Sequence, residues 1–365
     1  MKVIIVGAGI AGLSTAWALA KRGHAVTLLE QAPAIPNPYA ASGDQHRIIR
    51  RAYGKADGYA RTILEAFSAW DEMWADFGRS HLAECGVMGI SQTEGDEGEE
   101  YREGLDRMGT AYALFEPQEA ARRYPFLDAA TLRYAYLSSE GGALFPDRIA
   151  ADMLRWLADK GVDLRPGVEV ASVDADKGMV QLADGTRLAA DRIVVTAGAW
   201  TLKLFPALAG QLKPYRTAVA YLDPPDDLKA AWASAPAIVD VGGTVDGYVL
   251  PAVDGTDLKV GAGVHKRAMA PDVEREPHEG EGEIIRDYFA PPFARIGEYR
   301  VKRVATCAYT FTADHKFLSA TMGCVTAVSA CSGHGYKFGA AIGKRVADAL
   351  ESGDGVALLR WLRAE

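Results

Sequence analysis

A short β-branched run, Lys2 to Val6, breaks at Gly7, and two further glycines, Gly9 and Gly12, follow before helix-forming residues run from Leu13 to Arg22 and stop at Gly23. His24 to Glu30 then reads as a second buried strand. Strand, glycine turn, helix and strand make a βαβ unit with Gly7-x-Gly9-x-x-Gly12 at its first junction and an acid, Glu30, closing the second strand. Each glycine has its own reason. Gly7 permits the tight turn, Gly9 lets backbone approach a pyrophosphate, and Gly12 lets helix and strand pack closely; the free N–H groups at the helix start face the phosphates. Glu30 would accept hydrogen bonds from ribose hydroxyls and repel a 2′-phosphate, which disfavours NADP. The turn alone does not separate NAD from FAD.

Lys2, the apolar stretch and Ala18-Leu19-Ala20 imitate a secretory signal, but the glycines interrupt it where a strand-to-helix turn needs them, so the segment reads as retained. The chain of 365 residues is 49% hydrophobic and 24% charged, enough for two domains. Forty basic against 48 acidic residues leave a net charge of -8 with no long basic run, which argues against nucleic acid or a membrane surface as partner. Four cysteines, Cys85, Cys307, Cys324 and Cys331, and seven histidines make neither a CxxC pair nor an HExxH motif. No metal is expected, and a reducing cytoplasm fits best.

Further along, Pro146 to Gly161 reads as a helix, Val168 to Val173 as a strand, Met179 to Leu188 as a hairpin over Asp184-Gly185, and Ala190 to Thr196 as a buried strand entering Ala197-Gly198-Ala199-Trp200. These pieces would re-enter the nucleotide-binding sheet. The expected class is α/β: a Rossmann-like FAD-binding domain and a second, substrate domain built on a mixed β-sheet with helices. Residues 1–52, 145–214 and 303–365 are assigned to the first, and residues 53–144 and 215–302 to the second and its helical insertions. The acidic stretch Thr93 to Glu103 reads as a solvated loop and helix start. Arg47 and Arg50 lie three apart and would share one face on a helical turn.

Five motifs in order make the reading specific: the glycine turn, Gly43 to Gly54 (GDQHRIIRRAYG), Thr196 to Trp200 (TAGAW), Cys307 to Thr310 (CAYT) and Ser332 to Phe338 (SGHGYKF). Together they resemble the monomeric sarcosine oxidase and N-methyltryptophan oxidase family, within the D-amino-acid oxidase group, over nearly the whole chain. The resemblance implies FAD, attached covalently by a thioether from Cys307 to the flavin 8α-methyl. It implies cofactor contacts at Gly7, Gly9, Ile10, Ala11, Gly12, Glu30, Gln31, Ser42, Arg47, Val170, Ala197, Gly198, Trp200, Gly333, His334, Gly335 and Lys337. It also implies that Arg50 and Lys337 hold the substrate carboxylate, that Arg47 lies over the flavin, that Lys259 stands near flavin N5 as the oxygen site, and that Tyr248 and Tyr309 line the pocket.

Chemistry agrees with the transfer. A guanidinium fork matches a carboxylate bidentately, and Lys337, in a segment of glycine, aromatic and small residues, needs an anion. Three positions depart from the family. His265 comes six residues after Lys259 where the family's pocket histidine comes four after, and His46 precedes Arg47 where sarcosine oxidases have threonine. Ser319 also stands where the family has aspartate after the C-x-Y-T motif.

The expected activity is FAD-dependent oxidation of the C–N bond of an amino acid or secondary amine to an imine, with O2 reduced to H2O2. The small-molecule substrate bears a carboxylate, and the chain is expected to act as a monomer. A dehydrogenase of the same fold that passes electrons to a partner or quinone is the nearest alternative. A protein that binds FAD without redox chemistry is the alternative from another class.

Overall fold

The computed structural model describes residues 1–244 and 246–365. Its first sheet runs Leu318–Met322, Val325–Ser329, Arg192–Val195, Lys2–Val6, Ala25–Glu30 and Asp163–Pro166. Apart from the antiparallel edge Leu318–Met322, neighbouring strands are parallel. Lys2–Val6 lies inside the sheet, and its period-two alternation supplies both faces. Val3 and Ile5 join the core under the helices Ile10–Lys21, Pro146–Asp159 and Gly339–Ser352, whereas Ile4 and Val6 join a core under the three-stranded meander Val170–Asp174, Met179–Leu182 and Arg187–Ala189. The first helix starts at Ile10, three residues earlier than its sequence implies, because Gly12 already sits inside it.

The second sheet runs Arg267–Ala268, Lys213–Asp223, Leu258–Ala262, Gly247–Leu250, Ala237–Asp240, Val87–Ser91, Tyr134–Ser138 and Ala113–Phe115, and Arg300–Phe311 pairs with Lys213–Asp223 beside this path. That last antiparallel ladder extends from Lys213↔Phe311 to Asp223↔Arg300. The expected boundaries at 215 and 303 therefore fall inside two long paired strands that both belong to this sheet. Between residues 53 and 144 the helices Asp57–Phe77, Glu97–Arg107 and Pro117–Arg123 match the helical signals. The strand Val87–Ser91 is buried at every position, so it shows no alternation from which to read it.

Arg47–Arg50 is a strand, not a helical turn. It pairs antiparallel with Gly141–Leu144, which also pairs with Leu82–Ala83, and the β-branched Ile48-Ile49 pair suits that ladder. Residues three apart on a strand point to opposite faces, so the two guanidinium groups serve different parts of the site. Among the described residues no helix is long and apolar enough to cross a membrane.

Candidate active site

A cavity of about 900 Å³ begins at the glycine turn and ends between the two sheets. At its nucleotide end Gly7 has φ +102°, and a Cβ there would stand 2.6 Å from the Thr196 carbonyl oxygen. A Cβ on Gly12 would stand 1.9 Å from the Gly7 carbonyl oxygen, so any side chain would force the helix off the strand. Gly12 accordingly packs beneath the cavity, while Gly7, Gly9, Ile10 and Ala11 line it. Ser42 Oγ accepts a hydrogen bond from the Ile10 N–H (2.9 Å), which ties the following loop to the start of the helix.

Glu30 Oε2 accepts from the Ala8 N–H (2.8 Å) and Oε1 from the Ala32 N–H (3.0 Å). Its side chain thus fixes the turn, and each oxygen keeps a lone pair for a ribose hydroxyl. Gln31, Ser42, Val170, Ala197, Gly198 and Trp200 also line this end. The glycine cradle, the helix N-terminus and the acid fit an adenosine diphosphate moiety, so the residues present suit FAD.

The register of the second sheet sets the wall beyond. Tyr309 lies opposite Tyr215, Cys307 opposite Thr217, and Val219 opposite Gly261; Lys259 lies between Tyr221 and Leu250, and Tyr248 beside Gly261. Directly opposed residues share a face, and a spacing of two keeps that face, so Cys307, Tyr309, Lys259 and Tyr248 all project to the same side of the sheet. Tyr309, Tyr248, Thr217 and Val219 reach the large cavity. Cys307 is buried and borders a small neighbouring hollow with Tyr39 and Ala308, whereas Cys331 lines the large cavity. Burial pushes the Cys307 thiol up to about 11, with the nearby Arg47 charge opposing the shift.

Behind this wall stands a charge cluster centred on Asp44. Its Oδ2 accepts from Lys259 Nζ (3.1 Å) and from Arg47 Nη1 (3.0 Å), and its Oδ1 accepts from the Tyr221 hydroxyl. Burial raises the Asp44 pKa, but Lys259 and Arg47 outweigh it and hold the carboxyl far below the usual range. Arg47 also donates to the carbonyls of Ala41 (3.0 Å), Gly43 (2.6 Å) and His46 (3.0 Å), which fixes its guanidinium on the cavity wall. Lys259 has 0% exposure, donates to the His46 carbonyl as well, and is pushed down to about 8 by burial against the pull of Asp44.

His46 belongs to this second layer rather than to the cavity wall. Its Nε2 bonds the Pro251 carbonyl (3.2 Å), its ring is near-parallel to that of Tyr221 with 6.3 Å between centroids, and burial followed by the Lys259 charge keeps it neutral. Asp44 carries no signal in the sequence beyond its place in the Gly43 to Gly54 motif. His265 does not join the pocket. The two extra residues place it in the turn Gly263–His265, edge-on to Tyr288, and its neighbour Lys266 lines the cavity instead.

At the far end Gly333, His334, Gly335, Lys337 and Arg50 line the cavity together. Arg50 donates to the Ala52 carbonyl and to the Tyr101 hydroxyl (3.2 Å), with its guanidinium over the rings of Tyr53 and Tyr101. Lys337 Nζ donates to the His334 carbonyl (3.1 Å). Both side chains are buried, and among the described residues no carboxylate pairs with either. A buried guanidinium beside a buried amine that a bound carboxylate would protonate makes a receptor for an anion.

Burial and then the Arg50 charge hold Lys337 well below the ordinary lysine range. A bound carboxylate favours the protonated form, so carboxylate binding is expected to take up protons above the free-site pKa and to weaken as pH rises. Calorimetric titration in buffers of different ionisation enthalpy measures this. Binding that is proton-neutral and pH-independent through the neutral range would show that Lys337 does not face the ligand.

A nucleotide turn continued into a cavity that ends in two buried basic side chains fits a flavin-dependent enzyme of the two-sheet type. The chain belongs to the family described as FAD dependent oxidoreductase (DAO), matched over residues 2–349. It is similar to monomeric sarcosine oxidase of Bacillus sp. (strain NS-129), 28% identical over 96% of this chain and 93% of that protein. It is also similar to N-methyl-L-tryptophan oxidase of Yersinia pestis (strain Pestoides F), 22% identical over 94% and 92% of the two chains. Among solved structures, L-proline dehydrogenase from P. horikoshii matches with a TM-score of 0.80 at 18% identity, covering 100% of this chain and 96% of that one.

Proposed function

We propose that this FAD-dependent oxidoreductase oxidises the C–N bond of an amino acid or secondary amine bearing a carboxylate, with O2 as acceptor and H2O2 as product. The observation that carries this reading is the pair of buried basic side chains without an anion, Arg50 and Lys337, on the cavity that starts at the glycine turn. Arg50 and Lys337 bind the carboxylate, and the aromatic wall of Tyr53, Tyr248 and Tyr309 excludes water and favours the unprotonated amine. FAD, when bound, supplies the two-electron acceptor for the hydride equivalent. Water hydrolyses the resulting imine.

Lys259 and Arg47, anchored by Asp44, keep positive charge beside the wall where O2 would become superoxide. The protein is read as a monomer of a reducing cytoplasm, in keeping with cysteines that form no disulfide among the described residues. Anaerobic addition of a panel of amino acids and N-alkyl amino acids to the yellow holoenzyme should bleach the flavin with at least one of them. A panel that leaves the spectrum untouched removes the amine reading.

The flavin is read as covalent through Cys307. Support comes from the C-x-Y-T motif and from the register that turns Cys307 and Tyr309 to the same side of the sheet. Acid-precipitated protein and its Cys331→Ser variant should stay yellow, and Cys307→Ser should release its flavin. Wild-type flavin found wholly in the acid supernatant, or yellow colour lost only in Cys331→Ser, rejects the assignment. A free Cys307 thiol pushed up to about 11 also implies attachment that quickens with rising pH, because the thiolate is the attacking form.

A further inference from the structure

A buried tyrosine hydroxyl normally has a partner, because an unmade hydrogen bond in the interior leaves its loss of water uncompensated. Tyr59 obeys this: its hydroxyl donates to the Leu362 carbonyl (2.8 Å) and accepts from the Phe317 N–H (2.9 Å). The Tyr101 hydroxyl accepts from Arg50 (3.2 Å). Tyr53 is different. Its residue is 7% exposed, its hydroxyl is closed to solvent, and among the described residues nothing donates to that oxygen or accepts from it. Of the described tyrosines that line the cavity, Tyr53 alone is in this state.

Its surroundings say what the missing partner is. Tyr53 follows the strand Arg47–Arg50 by three residues, and its own carbonyl accepts from the Ala56 N–H (2.9 Å) in the turn that leads to the helix Asp57–Phe77. The ring packs among those of Tyr59, His334 and Phe338, each with its centroid 5.9 Å away. Both basic groups of the anion receptor stand against this same ring, the Arg50 guanidinium carbon 4.8 Å and Lys337 Nζ 5.7 Å from its centroid. Burial keeps the phenol protonated against the pull of the Arg50 charge, so the hydroxyl is a donor. The Arg50 guanidinium is a donor only, and no protein acceptor reaches the hydroxyl. What is missing is an acceptor brought by a ligand.

We propose that Tyr53 is a third contact of the carboxylate receptor and a specificity-determining residue, its hydroxyl donating to the carboxylate that Arg50 and Lys337 hold. This rests on the reading of those two residues given above and completes its hydrogen bonding. A carboxylate offers about four lone-pair sites: the guanidinium fork takes two, Lys337 takes one, and Tyr53 takes the last. Lys337 Nζ rests on the His334 carbonyl in the free site, and as it turns to the carboxylate it opens the hydroxyl to the same ligand. A carboxamide cannot replace the carboxylate, because its NH2 would face donors. In the free protein the unpaired hydroxyl is destabilising, and the ligand removes that penalty.

Tyr53→Phe deletes the hydroxyl and keeps the ring. Titration of the holoenzyme with propionate, followed through flavin absorbance, is expected to show affinity lowered about tenfold or more, the scale of one hydrogen bond to a charged group. The weaker affinity for propionamide should change less. Without ligand the thermal midpoint of the variant should equal or exceed that of wild type, and the rise that a fixed concentration of propionate gives should be smaller than in wild type. A lowered midpoint in the ligand-free variant would show that the hydroxyl already has a partner, and overturns the proposal. Loss of propionate and propionamide by the same factor would mean a general change of shape and overturns it too. A Tyr53→Phe enzyme that binds propionate as wild type does, where Arg50→Ala does not, removes Tyr53 and leaves the receptor standing. Propionate that perturbs the flavin of neither wild type nor variant removes the receptor itself, and the role of Tyr53 falls with it.

Discussion

Arg50→Ala is expected to weaken a substrate-like carboxylate inhibitor by several hundredfold or more while the flavin stays bound. Arg50 is 9% exposed, and its position is set by the Ala52 carbonyl, the Tyr101 hydroxyl and the two rings at 4.8 and 4.5 Å. Those contacts hold the planar fork before any ligand arrives, so little side-chain entropy is lost on binding. Removing one partner of a buried charge pair costs about 3–5 kcal/mol, which sets the expected factor. Arg50→Lys should recover only part of it, because an ammonium cannot present two parallel donors to a carboxylate. Titration of the inhibitor against flavin absorbance reads the affinity. A folded Arg50→Ala variant that binds the inhibitor as wild type does would remove Arg50 from the site.

The nucleotide end was legible because its constraints are local. Gly7, Gly9 and Gly12 act within a single turn on a strand whose every second residue faces one core, and Glu30 closes the same unit. Arg50 and Lys337 were legible as chemistry, since a cation among small and aromatic residues needs an anion wherever the chain folds. What stayed hidden depends on distant partners. Asp44 matters because Lys259, 215 positions away, reaches it through a sheet register that no local pattern encodes. The acidic run Thr93 to Glu103, by contrast, was legible too, since it forms an exposed loop and the acidic first turn of the helix Glu97–Arg107. His265 was placed by analogy of spacing, and two extra residues were enough to carry it around a turn and away from the cavity. Two arginines three apart suit a helical turn, yet the pairing of Arg47–Arg50 with Gly141–Leu144 decides the conformation.

Lys259→Met is expected to slow reoxidation of the reduced enzyme by O2 by about 10²–10³-fold, the scale of removing one preorganised electrostatic stabiliser. Methionine keeps much of the side-chain volume, so packing changes little, but the substitution does more than delete a charge. Asp44 loses one of its two Oδ2 donors and is left with Arg47, the Tyr221 hydroxyl and the more distant Arg303 at 3.7 Å. Anaerobic reduction by the amine should change less, because the Arg50 and Lys337 end of the cavity is untouched. The pH dependence gives a second handle. Lys259 is pushed down to about 8, so its charge is present below that value and is lost as pH rises through it. Wild-type reoxidation should therefore slow as pH passes about 8, and the Met variant should lack that inflection. Stopped-flow mixing of pre-reduced enzyme with dissolved oxygen measures both. A Lys259→Met enzyme that reoxidises at the wild-type rate would exclude Lys259 as the oxygen site. A wild-type enzyme that itself needs minutes would place the chain with the dehydrogenases that share its fold, and the positive charge gathered around Asp44 would then serve to hold Arg47 on the cavity wall.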